Sequence, residues 1–189
     1  LNFYCPRLGN IYIDGKNTRD INRNSLREQM AVVLQDPFIF EMDIKGNVGL
    51  DEGFSDAEIE KALMDVGAES IVKREIHEKI FEKGNDFSQG EKQLISFARA
   101  YIRKPRILIL DEATSNIDTE TEKIIQKGIQ KLRENCTTLI IAHRLSTIKD
   151  VDKIIVLNKG KIIERGNHKS LMEQDGFYKN MYDEQIRNQ

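Results

Sequence analysis

Two adjacent carboxylates, Asp111 and Glu112, follow the apolar run Ile107-Leu108-Ile109-Leu110, which Lys104-Pro105 precedes. A short run that is apolar throughout and bounded by Pro predicts the buried central strand of a parallel sheet. Open α/β sheets bind their ligands at the carboxyl ends of such strands. Successive strand residues point to opposite sides, so the two acids cannot play the same part. One can hold a metal ion while the other faces a water molecule. The pair also fits the bland alternative of a helix N-terminus that favours acids. A second candidate, Ser88-Gln89-Gly90-Glu91, opens the strongest helical run in the chain. Free N–H groups and the macrodipole make a helix N-terminus an anion site. Ser88 adds a hydroxyl, and Gly90 lets a phosphate come close to the backbone. Taken by itself, Ser-x-x-Glu reads first as an ordinary capping box.

The elements that must carry these residues follow from the pattern. Ile11–Ile13 and the Asp14-Gly15 turn predict a hairpin, and Met30–Leu34 a strand ending at Gln35. Between them Ser25 is a candidate cap for a short helix through Glu28. Leu1–Tyr4 resembles the end of a helix. From Asp36 onward the spacing turns helical. Ser55 is placed to cap a helix with Ile59, Ala62, Leu63 and Val66 on one face, stopped by Gly67. Ala68–Arg74 continues in that manner, Lys83–Asp86 is a turn, and Ser88 starts a helix running to about Arg103. Thr119–Arg133 reads as an amphipathic helix with Ile124, Ile125, Ile129 and Leu132 as its apolar face. Thr138–Ile141 predicts a further buried strand ending at Ala142-His143. Val151–Leu157 and Lys161–Arg165 flank a turn at Asn158-Lys159-Gly160, and His168–Glu173 and Phe177–Ile186 read as closing helices.

Composition sets the bounds. The chain has 189 residues, 29 Lys plus Arg against 31 Asp plus Glu, and a net charge of −2. That length suits one domain with a proper core. So balanced a charge gives no argument for nucleic acid or an acidic membrane. No apolar run approaches the roughly 18–20 residues that span a bilayer. Cys5 and Cys136 form no metal-ligand spacing and point to a reducing compartment. We expect a cytosolic domain.

The order of the pieces carries more than any piece alone. VVLQDPFIF, FSQGEKQLISFARA, RILILDEATSNID, IIAHRLSTI and GKIIERGNH followed by GFY occur in sequence along nearly the whole chain. In that order they resemble the ATP-binding cassette (ABC) ATPase of exporter type. The resemblance implies an α/β fold: a P-loop NTPase (RecA-like) core over 1–35 and 106–189, with a helical subdomain over 36–105. It implies ATP and Mg²⁺ as cofactors. Asp111 would hold Mg²⁺, Glu112 would be the general base, and His143 would contact the γ-phosphate. Gln35 would reach Mg²⁺ and the attacking water. Ser88, Gln89, Gly90 and Glu91 would form the signature that meets the nucleotide of a second such domain, with Asp118 at the interface between the two. Lys79–Asp86 would touch the transmembrane domains, on the cytoplasmic face of the membrane. Two alternatives remain beside an exporter motor: a soluble cassette ATPase acting on nucleic acid or ribosomes, and a catalytically silent interaction module.

The sequence departs from that pattern twice. It contains no Gly-x-x-x-x-Gly-Lys-Ser/Thr loop, so we expect a partial domain, lacking its first strands, whose 189 residues alone bind ATP poorly and do not hydrolyse it. The signature reads Phe87-Ser88-Gln89-Gly90-Glu91 where Leu-Ser-Gly-Gly-Gln is usual. With Glu112 and His143 intact, this points to a subunit paired with a different sibling, giving one competent and one weakened ATP site.

Overall fold

Residues 6–80, 84–111, 119–142 and 145–187 are described by the computed structural model of the chain. Its strands are β1 (Tyr12–Ile13), β2 (Lys16–Asn17), β3 (Met30–Val33), β4 (Ile107–Asp111), β5 (Thr137–Ile141), β6 (Ile154–Asn158) and β7 (Lys161–Gly166). Its α-helices are α1 (Arg23–Glu28), α2 (Ile44–Gly49), α3 (Asp56–Asp65), α4 (Glu69–Val72), α5 (Gln89–Ile102), α6 (Thr119–Arg133), α7 (His168–Glu173) and α8 (Phe177–Arg187).

The apolar run at Ile107 does form the middle strand of a sheet ordered β3-β4-β5. Leu108 and Leu110 are fully buried, and Ile107 and Ile109 half-buried on the other face. β3 runs parallel to β4, with Met30 opposite Ile107 and Val33 opposite Leu110. The Thr137 N–H donates to the Arg106 carbonyl at 2.9 Å, so β5 starts beside the start of β4. The expectation that this last strand is buried is corrected: Leu139 is 57% exposed and Ile141 46%. Thr138 and Ile140 face the covered side, whereas Leu139 and Ile141 share an open one. Apolar, β-branched composition reports strand preference, not what lies over each face.

Between β3 and β4 every element is a helix, α2 to α5. Ser55 caps α3 as expected: its Oγ accepts the Glu58 N–H while the Glu58 carboxylate accepts the Ser55 N–H at 2.9 Å. Ile59, Ala62 and Leu63 are its buried face, and Gly67 ends the turn at φ +84°. α5 packs against α2, α3, α6 and β3. Ile125, Ile129 and Leu132 of α6 are buried, but Ile124 sits at the rim, 36% exposed. Gly128 lets α6 come close to the end of α3, because a Cβ there would lie 2.9 Å from the Val66 carbonyl oxygen.

The short helix α1 is capped by Asn22 rather than Ser25. The Asn22 Oδ1 accepts the N–H groups of Asn24 and Ser25, at 2.9 and 3.3 Å. The capping-box spacing from Ser25 to Glu28 pointed one turn too late, since Ser25 is itself inside the helix. The reading of Leu1–Tyr4 lies outside the described residues.

The chain divides into two compact units, Leu1–Leu139 and Ile140–Gln189. In the second, β6 and β7 pair as an antiparallel hairpin. Lys159 and Gly160 turn it with φ of +48° and +75°, as a two-residue type I′ turn requires. Leu145, Ile154, Val156, Leu171 and Tyr178 form this unit's core. The Glu164 carboxylate on β7 accepts the N–H groups of Phe177 and Tyr178 at the start of α8. It fits there because Gly176 has no side chain: a Cβ would stand 2.2 Å from Glu164 Oε1. No helix among the described residues is long and apolar enough to cross a membrane.

Candidate functional site

The register of β3 against β4 sets the site. With Val33 opposite Leu110, the chain leaves β3 through Leu34 and Gln35 at the same sheet end where β4 delivers Asp111. This is the carboxyl end of both strands, where open α/β sheets hold ligands. Asp111 is half-buried and Gln35 exposed. A carboxylate and an amide carbonyl are hard oxygen donors of the kind Mg²⁺ takes, alongside water and phosphate. Among the described residues no group of three or more His, Cys, Asp or Glu could by itself hold a metal ion. Gln35 and Asp111 would supply two of the oxygens such a cation takes, with water and phosphate as the others. Glu112, Asp118 and His143 lie outside the described residues.

The Ser88–Glu91 segment realises its local reading in full. The Ser88 N–H and Oγ donate to the Glu91 carboxylate at 2.9 and 3.1 Å, and Ser88 Oγ accepts the Glu91 N–H at 3.2 Å. The Arg74 guanidinium stands 3.9 Å from the same carboxylate and 4.4 Å over the Phe87 ring. Glu91 is thus held by its own helix and by a cation, while Ser88 and Gln89 are exposed. Gly90 has a reason that sequence reading missed. A Cβ there would meet a Thr121 methyl at 2.3 Å, so the bare backbone admits α6. A cavity of about 420 Å³ beside this cap is lined by Ser70, Lys73, Ser88, Glu91, Thr121 and Lys127, among others. A larger cavity, about 900 Å³, lies elsewhere, against Phe54, Tyr101 and the Arg103–Glu52 ion pair. It is lined by none of the candidate site residues Gln35, Ser88–Glu91 and Asp111.

Three further polar residues, to which sequence reading gave no role, flank the chain on either side of Gln35. Gln93 of α5 is buried, and its Nε2 donates to the Leu34 carbonyl at 3.4 Å. Six residues on along α5, the Arg99 guanidinium donates to the Phe38 carbonyl at 3.1 and 3.2 Å and, through Nε, to the Asn47 carbonyl at 2.7 Å. Asn47 on α2 is fully buried. Its Oδ1 accepts the Phe40 N–H at 2.8 Å, and its Nδ2 donates to the carbonyls of Phe40 and Asp43, both at 3.0 Å. Burial, with the nearby Arg103 charge adding to it, pushes the Arg99 guanidinium down to about 10. A charged residue inside the apolar stretch Ile95–Tyr101 was the available signal.

A second charge cluster borders α2 and α3. His77 Nε2 stands 3.0 Å from Asp56 and its Nδ1 3.5 Å from Asp43, while Lys45 also reaches Asp56 at 2.7 Å. Hydrogen bonding to Asp56 raises the His77 pKa above its usual value, with Asp43 adding to it. The Lys45 and His77 hydrogen bonds in turn lower that of Asp56.

Residues 1–115 match the sequence profile of the family described as ABC transporter. The chain is 51% identical over 185 residues to the Probable multidrug resistance ABC transporter ATP-binding/permease protein YheH of Bacillus subtilis (strain 168), covering 96% of this chain and 28% of that protein. It is 39% identical over 181 residues to the ATP-dependent lipid A-core flippase of Francisella novicida, covering 93% of this chain and 30% of that protein. Among solved structures, a bacterial Atm1-family ABC exporter with ATP bound superposes with a TM-score of 0.88 at 37% identity, over 97% of this chain and 33% of that one. The chain therefore spans a third or less of the length of these three relatives. Its mixed α/β fold is that of the ABC-type P-loop NTPase, and the chain belongs to the ABC transporter family.

Proposed function

We propose that this chain forms part of the ATP-hydrolysing domain of an exporter, in which ATP-driven pairing of two such domains moves attached transmembrane segments at the cytoplasmic face. The observation that carries the reading is the register placing Gln35 and Asp111 at one end of adjacent parallel strands, directly before Glu112. In the division of labour, 1–35 and 106–189 belong to the catalytic core, and 36–105 is the lobe that presents Ser88. Asp111 and Gln35 would hold Mg²⁺, which when bound supplies charge neutralisation for the phosphates. Glu112 takes the proton of the attacking water, and His143 keeps that water and the γ-phosphate in line. Positioning and electrostatics of this kind account for most of phosphoryl transfer. Ser88 to Glu91 meet the nucleotide held by the opposite domain, with Asp118 at the seam. Lys79–Asp86 reaches toward the transmembrane part. The bridge of Lys79 to Asp43 and the Ile80 N–H bond to Met42 seat the start of that segment.

The signature favours a sibling of different sequence as the opposite domain. Glu91 puts a carboxylate at the end of the helix that would face polyphosphate, although Arg74 and the cap hold it. Gln89 adds an exposed side chain where Gly is usual. One ATP site would then be competent and served by Glu112, and the other weak. Purification of the exporter tests both points together. Two different polypeptides are expected, and Glu112→Gln in this chain alone is expected to lower ATP turnover at least about 100-fold. A homodimer turning over equally at both sites, or a variant keeping half the rate, would end the reading.

A further inference from the structure

Helix α5 holds the chain after β3 at two points. Gln93 takes the Leu34 carbonyl and Arg99 takes the Phe38 carbonyl. Gln35, Asp36 and Pro37 hang between these anchors. Both anchors ride on one helix whose first residue follows Ser88, so the two ends of the loop are tied to that helix. Asn47 completes the arrangement. Its side chain takes the Phe40 N–H and returns bonds to the Phe40 and Asp43 carbonyls, while its main-chain carbonyl receives Arg99 Nε.

The chemistry of Arg99 argues against simple stabilisation. No carboxylate among the described residues pairs with it, and all four of its hydrogen bonds go to backbone carbonyls or to the Asn47 amide. A half-buried cation whose partners among the described residues are all neutral is a poor way to add stability. A planar fork is a good way to fix two carbonyls relative to each other. The Arg99 guanidinium also lies 5.3 Å over the Phe40 ring, which packs edge-on against Phe38.

We propose that Arg99 and Asn47, with Gln93, form a positioning node through which helix α5 sets the path of the Gln35–Phe40 loop. Its meaning for catalysis rests on reading Gln35 as a magnesium and water contact; the node itself does not. The test is amide hydrogen exchange on this chain without nucleotide. The reporters are the amides of Phe40, bonded to Asn47, and Met42, bonded to the Phe40 carbonyl. Arg99→Lys keeps the charge but loses the fork. Arg99→Met removes the charge and keeps an unbranched stem. Each is expected to speed exchange at Phe40 and Met42 at least about tenfold while Leu63 in α3 and Leu108 in β4 keep their protection. Equal acceleration at all four amides, or full protection of Phe40 and Met42 in both variants, overturns the node. Because no nucleotide is present, that failure is separate from any failure of the role given to Gln35.

Discussion

His77 sits between Asp56 and Asp43, and only its protonated form satisfies both carboxylates at once. A pKa raised in the folded chain means that the pairing stabilises fully below the unfolded value of about 6.5 and is lost as pH rises through the higher folded value. The three side chains are open to water, so the effect is local. An NMR titration of the His77 ring is expected to give a midpoint above that of an unfolded His, and Asp56→Asn should bring it back most of the way. An unchanged midpoint in Asp56→Asn would assign the shift elsewhere. At this scale the caps were legible because they are local: Ser55 and Ser88 each find a Glu three residues on. Asn22 was missed because an equally good spacing competed with it. Arg99 was missed because its partners Asn47 and Phe38 lie 52 and 61 residues away in the chain, and no spacing rule reaches that far.

Among the elements, α6 shows how tightly the helices are set. Gly128 is in mid-helix, where Ala would ordinarily gain about 1 kcal/mol. Here the added carbon would press on the Val66 carbonyl and approach the Phe97 ring. Gly128→Ala is therefore expected to lose about 1–3 kcal/mol of stability, read as a lower denaturant midpoint. A neutral or stabilised variant would mean that α6 stands further from α3 than described. The helix was legible from its apolar period, and so were β4 and the β6–β7 hairpin, from a short apolar run and from Lys159-Gly160. What covers a surface was not legible. Leu139 and Ile141 have the composition of a core strand yet face outward, and Ile124 belongs to the apolar face by spacing but lies at its edge.

For the molecule as a whole, the order of motifs was more informative than any one of them. Ser88-x-x-Glu91 is a capping box in any protein. It reads as a signature only between a strand that leads into Gln35 and one that ends in Asp111. The same sequence sets a limit on what these residues do alone. The 189 residues contain no Gly-x-x-x-x-Gly-Lys-Ser/Thr run, the motif whose backbone N–H groups cradle phosphates in P-loop proteins. Isothermal titration of the 189-residue chain with Mg-ATP is expected to show binding weaker than micromolar and no turnover; a micromolar dissociation constant would contradict it.

The contact between Glu164 and the start of α8 bears on how the C-terminal unit comes together. An 11-residue helix is marginal in water by itself. Its first amides are met by a carboxylate 13 and 14 positions earlier, on a strand that leaves the ribosome before it. The final helix thus waits for instruction from the hairpin, and Gly176 is the gap through which that instruction arrives.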